Sequence, residues 1–130
     1  MTATISKISL KRREAERLKT RLRADYCPLV AHGGGLRVGG LQRGVATNLS
    51  ESGLFIADVG YLKVGALVHL FLRLPDIPAN PIVCYARVVR RGLGREQGYG
   101  LRFLRLPERD AARIRCFVDG LRSFGARAVA

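Results

Sequence analysis

The sequence predicts an all-β domain whose strands form an antiparallel barrel, with one α-helix at the C-terminus. Three observations predict this fold: short apolar segments with a period of two, Gly- or Ser-containing turns between them, and a change to a helical period after residue 106. No helical pattern separates the strands, so βαβ units and a parallel sheet are disfavoured. A chain of 130 residues is expected to form one domain around one modest core.

The predicted strands begin near residue 20. The first covers residues 21–31 and alternates only in part, and Pro28 within it indicates an edge or a bend of the sheet. The Gly-rich residues 32–40 are predicted to form a flexible turn. Five more segments have strand patterns, at residues 44–49, 53–59, 65–75, 82–91 and 98–106. Residues 50–52 form a polar turn between two of them, and the turn at 92–98 makes the last two a hairpin.

The last predicted element is a helix over residues 107–123. Pro107 suits the first turn of a helix, and Glu108 and Asp110 complement the positive end of its dipole. Apolar residues then recur at helical spacing on one face, namely Ile114, Phe117, Val118, Leu121 and Phe124. We expect residues 1–11 to form a flexible N-terminal segment and residues 124–130 a loose tail. The basic residues 7–24 suit either a charged amphipathic helix or an extended arm that leads into the first strand.

The net charge of +13 is large for a chain of this size and indicates an anionic partner. Of the 23 basic residues, four are Lys and the other 19 are Arg. A guanidinium group binds phosphate or the Hoogsteen edge of guanine through two parallel hydrogen bonds, and it also stacks on bases. A genome rich in G and C would enrich Arg as well. The charge therefore leaves nucleic acid, a nucleotide and a membrane surface open as partners.

The cysteines and the N-terminus indicate a cytoplasmic protein. Cys27, Cys84 and Cys116 are odd in number and far apart, which argues against a disulfide framework and a zinc site and fits a reducing compartment. The N-terminus lacks the apolar core and cleavage site of a signal peptide, and no apolar run is long enough to span a bilayer. Asn48 and Ser50 match the acceptor pattern for N-glycosylation, but that modification belongs to secreted proteins.

No group of residues in the sequence predicts an enzyme. The two histidines, His32 and His69, have no Ser or Cys nucleophile in a suitable context, and His69 lies inside a predicted strand, where we expect a structural role. The glycine runs at 33–35 and 39–40 do not form a phosphate-binding P-loop, because no Gly-Lys-Ser or Gly-Lys-Thr follows them. We therefore expect a binding protein without a catalytic site, a metal or another cofactor.

Two short motifs carry the functional prediction. The first is the pair Arg13 and Arg17, four residues apart with Arg12 beside it, and the second is "NLSESG" at residues 48–53. In this order, with a strand between them and a hairpin and helix after them, they resemble the PilZ domain family of bacterial cyclic di-GMP receptors. The resemblance covers residues 12–122. It rests on an Arg-x-x-x-Arg motif followed by an Asp/Asn-x-Ser-x-x-Gly motif.

The resemblance implies a six-stranded antiparallel β-barrel with a C-terminal α-helix, and a cyclic di-GMP site on it. The PilZ domain is then expected over residues 12–123, with a ligand-clamping arm at 12–19, the barrel at 20–106 and the helix at 107–123. The implied ligand-binding residues are Arg12, Arg13, Arg17, Asn48, Ser50 and Gly53.

These residues suit a ligand with two phosphates and two guanines. Arg13 and Arg17 can pair with phosphate and with guanine O6 and N7. Asn48 can accept from a guanine N–H, Ser50 adds a hydroxyl, and Gly53 permits an unusual φ or a close approach of base and backbone. Asn48 stands where many relatives have Asp, and a neutral amide forms weaker hydrogen bonds with guanine donors than a carboxylate does.

The resemblance also implies a mode of binding and of action. Arg12 supplies a third guanidinium, which fits an intercalated ligand dimer rather than a single ligand. The receptor relays its signal by docking on an unidentified protein, in the regulation of motility or exopolysaccharide. Two alternatives stay open, a PilZ-like adaptor that does not bind nucleotide and a basic DNA- or RNA-binding module. The paired motifs disfavour the first, and the 7% aromatic content without Trp or a nucleic-acid-binding motif disfavours the second.

Overall fold

The computed structural model of the protein describes residues 19–129. The predicted flexible segment at 1–11 and the arm up to residue 18, with Arg12, Arg13 and Arg17, lie outside the described residues. Within residues 19–129 the elements are β1 (Lys19–His32), β2 (Gly35–Val38), β3 (Val45–Leu49), β4 (Gly53–Ala57), β5 (Leu67–Leu72), β6 (Ile82–Arg91), β7 (Gly98–Leu104) and α1 (Glu108–Val129).

The strands form one antiparallel sheet that closes on itself. Along the sheet the order is β2-β1-β3-β4-β7-β6-β5, and β1 also pairs with β5. This second pairing closes six strands into a barrel, and β2 is an additional strand that pairs with the end of β1. The predicted fold class, a six-stranded antiparallel barrel with one C-terminal helix, is confirmed.

Alternation of inward and outward side chains puts the core inside the barrel. In β6, the even-numbered residues from Ile82 to Val88 are buried and the odd-numbered residues between them are exposed. The same alternation buries Val68, Leu70 and Leu72 of β5. Apolar side chains from all six barrel strands join in one cluster. The interior of the barrel is therefore filled, and the outer surface carries the clefts described below.

Two segments near the start of the chain differ from their predicted forms. β1 continues through Pro28, which pairs with Val68 of β5 and whose carbonyl accepts a hydrogen bond from the backbone N–H of Gly39 at 2.7 Å. Pro28 therefore does not mark an edge of the sheet. Part of the predicted flexible turn instead forms β2, because Gly33 and Gly34 adopt positive φ values of 56° and 84° that turn the chain back along β1.

The C-terminal helix begins where the sequence predicts and ends later. Glu108 and Asp110 lie in its first turn, and Ile114 and Val118 are buried in the same cluster as the barrel core. The helix continues to Val129, so the predicted end at 123 and the loose tail at 124–130 are corrected: the chain is helical up to residue 129. A single glycine costs a helix only about 1 kcal/mol, and the alanines that follow Gly125 are strong helix formers.

An ion pair anchors α1 to the loop between β5 and β6. Nε and Nη2 of Arg113 donate to the two carboxylate oxygens of Asp76 at 3.0 and 2.9 Å, and Nη1 donates to the carbonyl of Asn80 at 3.0 Å. The hydrogen bonds from Arg113 lower the pKa of Asp76 below its ordinary value. The helix is thus held by packing on one side and by charge on another.

The outer face of β5 and β6 carries a small aromatic cluster. His69 stacks on Tyr85, which lies directly opposite it, and is tilted against Phe71, with ring centroids 4.7 Å apart in both pairs. His69 lines neither of the two clefts described below. Its contacts are those of a strand residue packed among its neighbours.

We expect Ile114→Ala to lower the free energy of unfolding by about 2–5 kcal/mol, because the truncation leaves a cavity where α1 meets the barrel core. Chemical denaturation followed by far-UV circular dichroism measures this change. Cys116→Ala, an exposed site two residues further along the same helix, is the matched control, and its effect should stay within about 0.5 kcal/mol. Equal effects of the two substitutions would contradict the packing of α1 on the core.

Candidate ligand-binding site

The motif at residues 48–53 ends β3, makes a turn and begins β4. The backbone N–H of Ser50 donates to the carbonyl of Gly53 at 2.9 Å and closes the turn. The hydroxyl of Ser50 accepts from the N–H of Ser52 at 3.3 Å and lies 2.9 Å from the Ser52 hydroxyl. These local hydrogen bonds hold the turn in one shape, as Ser side chains commonly do. Ser50 therefore has a structural role, whatever it contributes to a ligand.

Gly53 is required by the neighbouring strand. A Cβ at this position would lie 2.0 Å from the carbonyl oxygen of Leu101 in β7, a separation that no side chain can tolerate. The φ of Gly53 is not among the positive values in the described chain, so the unusual φ predicted for it is not present. The group that comes close to the Gly53 backbone is strand β7. It lies directly against the start of β4, where Gly53 pairs with Arg102.

A row of four paired residues crosses the outer face of the barrel. Asn48 of β3 lies opposite Phe55 of β4, Phe55 opposite Gly100 of β7, and Gly100 opposite Arg90 of β6. The register shifts in β3 between Ala46 and Asn48 and in β6 between Val88 and Arg90. Each shift is a β-bulge, which turns Asn48 and Arg90 from the inward side to the outward side of their strands.

Arg90 reaches across the row and covers an aromatic ring. Its guanidinium carbon lies 5.3 Å from the centroid of the Phe55 ring, a cation–π contact. Gly100 makes this possible, because a Cβ there would lie 2.9 Å from the Cγ of Arg90. Phe55 is only 6% exposed although it lies on the outer face and outside the core cluster. The outer face of the barrel therefore carries an aromatic ring, Phe55, that is covered by the guanidinium of Arg90.

A second arginine lies in the next row of the sheet. Arg102 of β7 is directly opposite Arg87 of β6 on the outer face, and two like charges in such a pair repel each other. Arg87 is turned away and donates to the carbonyl of Gly65 at 2.9 Å. In the described part of the chain, Arg102 has no hydrogen-bond or ion-pair partner. Its guanidinium is therefore available to an anion at this face of the barrel.

These residues line one cleft with a volume of about 380 Å³. It brings together three of the predicted site residues, which are Asn48, Ser50 and Gly53, and adds Phe55, Arg90 and Arg102. The volume lies in the range of about 300–1,000 Å³ that is typical of small-molecule sites. The three predicted arginines at 12, 13 and 17 lie outside the described residues, so their position relative to the cleft stays a prediction.

Sequence reasoning missed Phe55, Arg90 and Arg102. A signal existed for Arg102, because strand alternation in the pattern around it puts it on the outer face beside Gly53. Strand alternation assigns Arg90 to the inner side, and only the β-bulge reverses this. Phe55 has the appearance of a core residue in sequence. Arg90 and Phe55 are recognised as site residues only from the pairing of strands that are far apart in the chain.

An ion-pair network connects the turn to the C-terminal helix. Nη1 of Arg115 donates to the carboxylate of Glu51 at 2.9 Å, and Nη2 of Arg115 makes a short hydrogen bond to Glu108. These carboxylates raise the pKa of Arg115 above its ordinary value, with Glu108 the larger cause. All three groups are substantially exposed, so the network contributes little to stability. It does give the turn a direct contact with α1.

Neither the buried Cys84 thiol nor a metal-binding cluster offers a second chemical site in the described residues. Burial raises the pKa of the Cys84 thiol to about 12, so this thiol is not a nucleophile at neutral pH. Among residues 19–129, no three His, Cys, Asp or Glu side chains are grouped so that they could hold a metal ion. No helix in that part of the chain has the length and apolar character needed to cross a membrane.

The fold and the cleft together define a small β-barrel domain with an arginine-lined, polar cleft on its outer face, suited to an anionic ligand. The sequence profile of the PilZ domain matches residues 11–120. The chain belongs to the PilZ domain family. Members of this family are generally cyclic di-GMP receptors that act on protein targets, and they are binding domains rather than enzymes.

A comparison with solved structures agrees on the fold. The chain is similar to a structure described as the crystal structure of the PilZ domain of CeSA from a cellulose-synthesizing bacterium, with a TM-score of 0.51 and 18% sequence identity. The alignment covers 81% of this chain and 96% of that chain. At such low identity the likeness shows the fold alone. No curated protein matches the chain significantly.

We expect Gly53→Ala to lower the free energy of unfolding by about 1–3 kcal/mol, because the new methyl group forces β4 and β7 apart. Thermal or chemical unfolding measures the loss. Gly40→Ala is the matched control: nothing lies within 4 Å of its added Cβ, so its effect should be within about 0.5 kcal/mol. A Gly53→Ala variant as stable as the wild type would contradict the strand contact.

Proposed function

We propose that this chain is a receptor for cyclic di-GMP, and that the dinucleotide binds over the outer face of β3, β4, β7 and β6. One observation carries the proposal: in a chain of the PilZ family, Asn48, Ser50 and Gly53 line the same cleft as Arg90 and Arg102. The cleft combines hydrogen-bonding groups for a base with cations for a phosphate. The ligand has both kinds of group.

The phosphates are bound by guanidinium groups from two parts of the chain. Arg102 offers an exposed guanidinium that is opposite Gly53, where no side chain blocks an approaching phosphate. Arg13 and Arg17 of the arm approach from outside the barrel and pair with phosphate or with guanine O6 and N7. Arg90, over the Phe55 ring, is placed to stack on a base.

The turn contributes hydrogen-bonding groups at the other side of the cleft. Asn48 presents an amide that can accept from a guanine N–H and donate to another acceptor. Ser50 acts mainly through the turn that it stabilises, which fixes the backbone beside the ligand. Gly53 lets β4 and β7 lie close together, which holds Arg102 beside the turn. Together these residues bind the ligand on its base side.

Ligand binding produces a signal by changing the surface that the protein presents to its target. The arm at 12–18, which leads into β1 at Lys19, closes over the ligand and changes the surface that the protein presents to a partner. The contact of Glu51 with Arg115 offers a second route, from the turn to α1. The chain acts in the cytoplasm by docking on a protein target, has no catalytic step of its own and regulates motility or exopolysaccharide production.

Calorimetric titration of the full chain with cyclic di-GMP should show micromolar or tighter binding. Arg13→Ala and Arg17→Ala should abolish it, and Asn48→Ala or Arg102→Ala should weaken it about tenfold or more, since each removes a hydrogen bond to a charged or polar ligand group. Arg37→Ala, at an exposed site on β2 outside both clefts, is the control for the loss of one positive charge. It should leave the affinity nearly unchanged.

Other outcomes of this titration identify the alternatives. Binding that survives both arm substitutions would contradict the role of the arm. A folded protein that binds no cyclic di-GMP would contradict the proposed function and favour an adaptor without nucleotide. Strong binding to random duplex DNA with a steep salt dependence, and none to the dinucleotide, would favour the nucleic-acid-binding module.

The stoichiometry of the same titration tests the role of Arg12. We expect each chain to bind an intercalated pair of ligands, because Arg12 adds a third guanidinium to the arm and can pair with the second ligand. Arg12→Ala should reduce the stoichiometry to a single ligand, with Arg37→Ala again as the charge control. A single ligand bound by each wild-type chain would contradict the dimer.

A further inference from the structure

We propose that Glu96 is the residue that selects guanine, by accepting hydrogen bonds from the N1–H and 2-amino groups of one base in a second cleft beside the first. The inference rests on the proposed binding of cyclic di-GMP and adds a specificity residue to it. Glu96 lies outside both sequence motifs, in the loop between β6 and β7. Its position follows from the fold of the barrel.

The second cleft is next to the first on the outer face and has a volume of about 710 Å³. Asn48 and Phe55 line both clefts, so one ligand can extend from the arginines of the first into the second. The remaining lining residues come from β1, β3, the end of β4 with the residue after it, and the β6–β7 loop: Thr20, Arg21, Thr47, Ala57, Asp58, Glu96 and Gln97. The cleft therefore combines the apolar side chains of Phe55 and Ala57 with polar side chains that include two carboxylates.

The β6–β7 loop holds Glu96 in a defined place. The backbone N–H of Glu96 donates to the carbonyl of Leu93 at 3.1 Å, and Gly94 between them has a positive φ of 62°. The N–H of Gly92 donates to the carbonyl of Gly98 at 2.8 Å and closes the base of the loop. A Cβ on Gly92 would lie 2.6 Å from the carbonyl oxygen of Glu96, so the loop is packed tightly.

The side chain of Glu96 is directed toward the site. Its carboxylate lies 3.7 Å from Nη2 of Arg90, the arginine that covers Phe55, and the Glu96 side chain is 44% exposed. This separation is longer than a hydrogen bond, so the carboxylate oxygens keep the capacity to accept from a ligand. Glu96 and Arg90 thus stand together at the junction of the two clefts.

The chemistry of guanine fits this pair of charges. The Watson–Crick edge of guanine presents N1–H and the 2-amino group as donors, and a carboxylate accepts from both at once. The Hoogsteen edge presents O6 and N7, which an arginine binds. The neutral amide of Asn48 gives only one carbonyl oxygen for the donors. Glu96 supplies the carboxylate that the motif residue Asn48 lacks.

Asp58 is the other carboxylate of the cleft and is less suited to this role. It lies just after β4 with a φ of 57°, its side chain is 70% exposed, and its carboxylate lies 3.8 Å from Nη2 of Arg21. It has no contact with Arg90 or Phe55 among the described interactions. We therefore assign the reading of guanine to Glu96.

The experiment is a titration of the full-length Glu96→Gln variant with cyclic di-GMP and with its inosine analogue, which lacks the 2-amino groups. Removal of a negative charge, and release of Arg90 from it, would by electrostatics alone strengthen binding of a dianionic ligand. The proposal predicts the opposite sign: the affinity for cyclic di-GMP falls about tenfold or more, because charge-assisted hydrogen bonds to the base are lost. The preference of the wild type for guanine over the inosine analogue should shrink in the variant.

The controls separate this inference from the proposed function. Asp119→Asn removes an exposed carboxylate on α1, outside both clefts, and should leave the affinity unchanged. An unchanged or higher affinity of Glu96→Gln, or a loss of affinity only in Asp58→Asn, would overturn the assignment while the wild type still binds. A folded wild-type chain that does not bind cyclic di-GMP would overturn the proposed function and this inference with it.

Discussion

Two β-bulges decide what the outer face of this barrel can bind. Without the shift in β3, Asn48 would point into the core, and without the shift in β6, Arg90 would do the same. With both shifts, the two side chains stand at opposite ends of one row, across Phe55 and Gly100. The glycine leaves room for the arginine to lie over the ring. The first cleft is lined by the whole row and the second by Asn48 and Phe55, so the register of these strands underlies both clefts.

The fold could be predicted from the sequence because most strands are short apolar segments with a period of two, separated by turn residues. The predicted and observed bounds of β6 agree, and Pro107 with Glu108 locates the start of the helix. The extra strand β2 was not accessible, since exposed residues at 35–38 pair only with the end of β1 and carry no burial pattern. The end of α1 was also missed, because local propensity there outweighs one glycine.

Only the part of the site that lies within one short stretch of the chain could be predicted from the sequence. The turn at 50–52 and the need for Gly53 could be predicted from a short motif, although the reason for the glycine is a neighbouring strand rather than its own φ. Arg90 and Phe55 belong to the site through pairings between β4, β7 and β6, and a bulge in β6 cannot be deduced from alternation. The positions of the arm arginines depend on residues before β1, which the motif alone does not place.

The site on the outer face is tested most directly by a map of backbone amide shifts in the full chain when cyclic di-GMP is added. If the ligand lies over β3, β4, β7 and β6, the largest changes fall on residues 48–55, on 98–102 and in the β6–β7 loop, because these segments line the two clefts. The amides around His69 and Tyr85, on the outer face of β5 and β6, should change little. Changes centred on that aromatic face, with none in the turn at 50–52, would show that cyclic di-GMP does not bind at the two clefts.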